Sequence, residues 1–190
     1  MKDAYIEDRS FQGETFAGQD LEKGEYEQCA FTNCIFLNAD LSETRFTDCT
    51  FTDCDLSMAI LKETAFREVK FKNCKLLGLR FDDCNLFSLS FDFDGCILQF
   101  ASFFRLKIQG TRFKNCKLED VEFIEADLSQ AIFNQCDLSR AIFDRTSLEG
   151  ADFRTAFNFS IDPEINRIQK AKFSAQNVAG LLHKYKLIIE

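Results

Sequence analysis

The stretch Phe31-Thr32-Asn33-Cys34-Ile35-Phe36-Leu37-Asn38-Ala39-Asp40-Leu41-Ser42-Glu43-Thr44-Arg45-Phe46-Thr47-Asp48-Cys49-Thr50-Phe51-Thr52-Asp53-Cys54 carries two periods at once. A large apolar residue returns every fifth position, as Phe31, Phe36, Leu41, Phe46 and Phe51, while Cys34 returns twenty positions on as Cys54. Neither an α-helix, with its period of 3.6, nor a strand, with its period of two, produces a five. A chain that turns a corner every five residues does, and four corners close a square coil of twenty. Coils of that kind stack through backbone hydrogen bonds at roughly the strand spacing of ~4.8 Å.

Both periods run outward from this stretch. The fives extend back to Phe11 (Ile6 begins the frame) and forward through Leu56, Leu61, Phe66, Phe71, Leu76, Phe81, Leu86 and Phe91. They resume at Leu98 and continue to Phe153. The cysteine column continues as Cys74, Cys96, Cys116 and Cys136, so the two-residue slip between Phe91 and Leu98 predicts a bulge near 92–97 that keeps the coil count. Two positions before nearly all of these centres stands a small or modestly apolar residue, such as Ala39, Thr44, Val69 or Ala126, and all nine cysteines occupy that position. Two residues in five therefore point inward and three outward. The expected fold is an all-β solenoid, a square β-helix of residues 1–157 followed by a cap and dimerisation segment over 158–190.

Composition bounds the function. Nine cysteines, all expected in the core, suit a reducing cytoplasm. Because the same slot takes Ala, Thr and Val, it selects for size, and buried Cys serves as a small hydrophobe. No metal or cofactor is expected, and no run approaches the ~20 apolar residues of a membrane-spanning helix. Asp20, Asp40, Asp55, Asp127 and Asp137 recur in much the same setting, which does not single out a catalytic pair. His183 is the one histidine and has no nucleophile motif near it. The expectation is a protein that is not an enzyme.

Net charge is −8, unevenly spread. Residues 1–60 sum to −9, 61–117 to +5, 118–157 to −6 and 158–190 to +2. Lys70, Lys72, Lys75, Arg80, Lys107, Arg112, Lys114 and Lys117 form the basic band. Outward acids concentrate on two adjacent faces, those of Leu21 and Tyr26. Asp20, Glu22, Asp40, Glu43, Glu25, Glu27, Glu122 and Glu125 are the candidate acidic binding residues. Phe87, Phe93, Phe100 and Phe104 fall at outward positions near the slip; they either pack over the bulge or form a candidate partner patch, the contact of a rigid protein–protein interaction scaffold that is the alternative function. Past Phe153 the fives fail. Ser174 is placed as an N-cap, and Val178, Leu181, Leu182 and Tyr185 follow with the spacing of one apolar stripe on a short α-helix. With Leu187 and Ile189 they are the candidate contact of an end-to-end homodimer.

The five-residue pattern, as in Ala39-Asp40-Leu41-Ser42-Glu43 and Ala126-Asp127-Leu128-Ser129-Gln130, resembles the pentapeptide-repeat family. The resemblance implies a right-handed quadrilateral β-helix. In the tail, Asp162-Pro163, Leu181-Leu182 and Leu187-Ile188-Ile189 resemble the C-terminal module of the quinolone-resistance pentapeptide proteins. That second resemblance implies a rod-shaped dimer that mimics DNA and binds DNA gyrase or topoisomerase IV. It implies no direct nucleic-acid binding. The long projecting loops of many members of that group are missing here; only the two-residue slip stands in their place.

Overall fold

The computed structural model describes residues 4–18 and 21–188, and among them the chain is a parallel all-β solenoid. Its rungs are short because each strand ends at a corner after three or four residues. Seven strands stack along the face of Phe11: Ser10–Gln12, Ala30–Thr32, Thr50–Thr52, Val69–Lys72, Phe91–Asp94, Arg112–Lys114 and Ile132–Asn134. Four more stack along the face of Tyr26: Ala4–Glu7, Gly24–Glu27, Arg45–Thr47 and Ala65–Arg67. The other two faces are joined by single parallel bridges, such as Ile35↔Asp55 and Ser102↔Glu122. Coils bond directly, as where the Leu41 N–H donates to the Ile60 carbonyl at 3.0 Å and the Ala65 N–H to that of Thr44 at 2.9 Å.

The centres fill the axis. Phe31, Phe51, Phe113 and Phe153 are fully buried. Rings on the Phe11 face stack nearly parallel along the axis, from Phe11–Phe31 at 4.6 Å to Phe133–Phe153 at 4.7 Å. They meet rings of neighbouring faces edge-on, as in Phe103–Phe113 at 5.9 Å and 89°. Both geometries suit the aromatic quadrupole. At most corners the residue two past the centre is left-handed, for example Asn33, Asn73 and Gly95. Asn and Gly tolerate that conformation best, and at Gly95 an added Cβ would run into the Asn73 side chain of the coil before.

Three expectations need correction. The bulge lies at residues 85–90, not 92–97. Phe93, not Phe91, joins the Phe11 column: it pairs in register with Phe71 and Phe113 and stacks on them at 5.4 and 5.2 Å. Phe91 pairs with Val69, in the small-residue slot. Both phenylalanines fit a five, Phe91 counted from the N-terminal side and Phe93 counted back from Leu98. Stacking on both neighbours selects Phe93 and pushes the two extra residues upstream. Leu86 consequently leaves the core and is 63% exposed.

The coil also outlasts residue 157. Bridges Asp137↔Phe157, Ser147↔Arg167 and Asp152↔Lys172 hold a further turn in register, and Phe173 stacks on Phe153 at 5.3 Å. Backbone bonding carries the chain past Asn158 and Pro163, which interrupt the apolar fives, to Ile168 and Phe173, twenty past Leu148 and Phe153. Finally, the expected α-helix is two 3-10 turns, Val178–Leu181 and His183–Tyr185. The Gly180 carbonyl accepts from the Ile161 N–H at 3.0 Å, which takes it out of any helical ladder. Gly180 itself lies against the Phe159 ring, where a side chain would clash. The N-cap of the first 3-10 turn is Asn177, not Ser174; the two bond reciprocally across the turn before it, where Ser174 Oγ accepts from the Asn177 N–H at 3.3 Å and Asn177 Oδ1 from the Ser174 N–H at 2.9 Å. Asn177 Nδ2 then donates to the Phe153 and Ala156 carbonyls, closing the last coil.

Candidate functional site

The surface is built on a core whose polar groups are already engaged. Each cysteine of the twenty-residue column donates from Sγ to the carbonyl of a phenylalanine centre one coil back: Cys34 to Phe11 at 3.5 Å, Cys54 to Phe31 at 3.4 Å, Cys136 to Phe113 at 3.3 Å. Thr64 does the same to Leu41 at 2.8 Å, Thr146 to Phe123 at 2.7 Å, and Asn166 Nδ2 to Phe143 at 3.0 Å. The slot therefore selects for a small side chain and also uses a donor where one is present. All nine cysteines are free and buried. Burial pushes the Cys49 thiol up to about 12 and the Cys84 thiol up as well, which keeps both as inert thiols. Among the described residues no three His, Cys, Asp or Glu side chains gather as metal ligands, and no helix is long and apolar enough to cross a membrane.

The surface charges form ladders along the axis. Arg45 meets Glu25 at 3.7 Å, Lys75 meets Asp55 at 3.9 Å, Lys114 meets Asp94 at 2.9 Å, and Arg140 meets Asp120 at 2.6 Å, each from one coil to the next. The partner cations hold the Asp94 and Asp120 carboxyls below their ordinary range, chiefly through hydrogen bonds from Lys114 and Arg140.

This pairing sorts the predicted acidic residues. Glu125 is held between Arg105 at 2.6 Å and Arg145 at 3.3 Å. Glu25 pairs with Arg45. Glu27 accepts the Tyr5 hydroxyl at 2.7 Å, and that bond pushes the Tyr5 phenol up to about 12. Asp40 takes the Ser42 N–H at 2.9 Å, and its pKa is lowered, first by the Ser42 hydroxyl and then by that N–H. Glu22, Glu43 and Glu122 have no ionic partner among the described residues, and Asp20 lies outside them. Glu122 stands in the same column as Asp40, four rungs on, or ~19 Å at the strand spacing. The eight candidates thus form two groups, separated by the basic band. Asp48 and Asp53, in no ion pair among the described residues and at left-handed corners beside the first group, were not singled out from the sequence. Their signal was the excess of 13 acids over 4 bases in residues 1–60.

The aromatic patch also divides. Phe93 is buried, a direct consequence of its place in the column. Phe104 is half-buried, with the Arg105 guanidinium over its ring at 4.6 Å. Phe87 and Phe100 are exposed, at 72% and 62%. Leu86, taken as a centre in the sequence, stands exposed beside Phe87. Of the tail stripe, Leu181 packs against the core and Leu182 is half-buried, while Val178, Tyr185 and Leu187 face out; Ile189 lies outside the described residues.

Comparison with known proteins matches this geometry to a family. The model of the pentapeptide repeat region matches residues 25–93 and 81–153. This chain belongs to the pentapeptide repeat family. Among solved pentapeptide structures, full-length QnrB1, described as a plasmid-mediated fluoroquinolone resistance protein, superposes with a TM-score of 0.57 at 18% identity, over 95% of this chain and 99% of that one. HetL, a pentapeptide repeat protein of heterocyst differentiation from the cyanobacterium Nostoc, is 20% identical over 88% of this chain and 86% of its own, with a TM-score of 0.38. A pentapeptide repeat protein of the Arabidopsis thaliana thylakoid lumen is 17% identical over 80% and 67%, with a TM-score of 0.35. No curated protein sequence matches the chain significantly. At these identities the likeness is one of fold.

Proposed function

We propose that this pentapeptide repeat protein is a non-enzymatic interaction rod that mimics DNA and binds a type II topoisomerase, DNA gyrase or topoisomerase IV. The observation that carries the reading is the surface of the first coils. Glu22, Glu43, Asp48 and Asp53 are in no ion pair among the described residues, on a parallel scaffold whose residues 1–60 carry 13 acids against 4 bases. Fixed carboxylates of this kind complement a basic DNA-binding groove, and their attraction is long-ranged and screened by salt. The fluoroquinolone resistance named for QnrB1 enters as the phenotype this contact would produce. A second copy is proposed to meet the chain at the tail, through the outward-facing Val178, Tyr185 and Leu187. The contact would be isologous and would leave the acidic coils free.

A gyrase supercoiling assay with the purified protein, titrated with and without a fluoroquinolone, tests the reading. The expected result is relief of drug inhibition, or inhibition of supercoiling itself. Glu22→Gln, Glu43→Gln, Asp48→Asn and Asp53→Asn combined should weaken the effect by about tenfold or more without changing the melting curve. An unchanged effect in that variant would sink the DNA-mimic mechanism.

A further inference from the structure

The two-residue insertion makes one defect in the rod, and the defect is where its surface changes character. The strand stack on the Tyr26 face stops at Ala65–Arg67, and for one coil the loop 85–90 crosses in place of a strand. Beside the loop lies a cleft of about 300 Å³, with Lys70, Lys107, Arg112, Glu68 and Asp92 in its walls. A second cleft of about 260 Å³ shares Lys70, Asp92 and Arg112 and adds Lys72, Asp94 and Lys114. Arg112 and Lys114 are committed to Asp92 and Asp94, and Glu68 accepts the Ser90 hydroxyl at 3.1 Å. Lys70, Lys72 and Lys107 are in no ion pair among the described residues, and the Arg67 guanidinium has only the Phe87 ring, 5.5 Å away. Lys70 and Lys107 in the first cleft, Lys72 in the second and Arg67 beside Phe87 are thus cations in no ion pair, while Glu63, Asp82 and Asp83 line the side toward Leu86.

The loop itself is fixed. The Asn85 N–H donates to the Thr64 carbonyl and the Ser90 N–H to that of Phe66, both at 2.9 Å. The Phe87 N–H donates to Asn85 Oδ1 at 3.0 Å, and the Glu68 N–H to Ser90 Oγ at 2.7 Å. Anchored at both ends, it holds Leu86 and Phe87 in solvent, 63% and 72% exposed. A preordered apolar knob loses little entropy on binding.

We propose that this loop and the clefts beside it form a second docking surface, which takes a short acidic segment of a partner protein. An apolar side chain of that segment would lie against Phe87 and its carboxylates on Lys70 and Lys107. Charge complementarity identifies the occupant. A long polyanion such as duplex DNA would run from the +5 band over the flanking −9 and −6 segments, where it is repelled. A short segment stays within the band, since screening confines it to about 8 Å at physiological salt. The residues that would carry this contact, Lys70, Lys107 and Phe87, are not those of the acidic contact, although Glu43 and Arg67 line one shallow concavity.

Fluorescence anisotropy with a labelled Glu/Asp-rich peptide carrying a central Phe-Leu pair tests this, using the full chain. Saturable binding that weakens with salt is expected. Lys70→Glu with Lys107→Glu should weaken it about tenfold or more, and Phe87→Ser several-fold, with melting curves unchanged. Should the charge reversals disturb folding, Lys70→Gln with Lys107→Gln gives the same direction. Three results would overturn the proposal: no binding at low salt, a peptide with Ser in place of Phe-Leu binding equally well, or a duplex DNA fragment binding more tightly than the peptide. Because the acidic coils take no part, the supercoiling result can fail or hold without deciding this one.

Discussion

The face of Phe11 and the face of Tyr26 are built from the same five-residue unit, yet one runs unbroken and the other is cut. Along the first, rings stack from Phe11 to Phe173 at separations of 4.6 to 5.4 Å. Along the second, Tyr26, Phe46 and Phe66 stack, and the next coil puts the loop 85–90 in place of a ring. An insertion in a solenoid goes where it displaces least. Moving it into the Phe11 face would cost a stacked phenylalanine and its register bonds. On the Tyr26 face it costs one leucine, and the loop's backbone is bonded to the neighbouring coil. The difference shows that register is defended column by column, so a defect stays local and becomes the distinctive surface.

The largest effect should come from attacking the unbroken column. Phe113→Ala removes a fully buried ring stacked on both sides and should cost about 3–5 kcal/mol in denaturant unfolding. Leu89→Ala, within the loop and only partly buried, should cost distinctly less. Equal costs would break the comparison.

Next come the slots. Thr64→Val deletes the donor to the buried Leu41 carbonyl and should cost about 1–3 kcal/mol. Thr44→Val, one coil earlier in the same column, removes a buried hydroxyl that has no partner and should be neutral or stabilising. If both variants lose stability alike, the slot senses shape only.

Deleting Phe87 and Ser88 restores fives through Phe81, Leu86 and Phe93. The variant should keep the fold within ~1 kcal/mol, since loop length alone is worth little. It should also lose the loop-centred peptide binding. A collapsed variant would mean that the loop is part of the fold.

The smallest effect should come from the ladders. Asp94 and Asp120 have folded pKa values below their unfolded ones, through Lys114 and Arg140. Their contribution is complete above the ordinary carboxylate range and is lost as pH falls toward the folded values. Being exposed, they should move a melting curve only slightly, and Lys114→Ala should leave most of the acid sensitivity in place.

Sequence alone determined the solenoid, the coil of twenty and nearly all of the core, because apolar spacing reports directly which side chains face the axis. It placed all nine cysteines in the interior for the same reason. It could not decide between Phe91 and Phe93, because each completes a five from one side; stacking with Phe71 and Phe113 decided it. The last turn through Phe173 was legible only in part: Ile168 and Phe173 stand twenty past Leu148 and Phe153, but Asn158 and Pro163 interrupt the fives between them. The tail's spacing suited an α-helix until the Ile161 N–H claimed the Gly180 carbonyl. The acidic residues were visible as a composition, but which of them stay unpaired depends on what stands one rung away, and only the stacked coils bring those neighbours together.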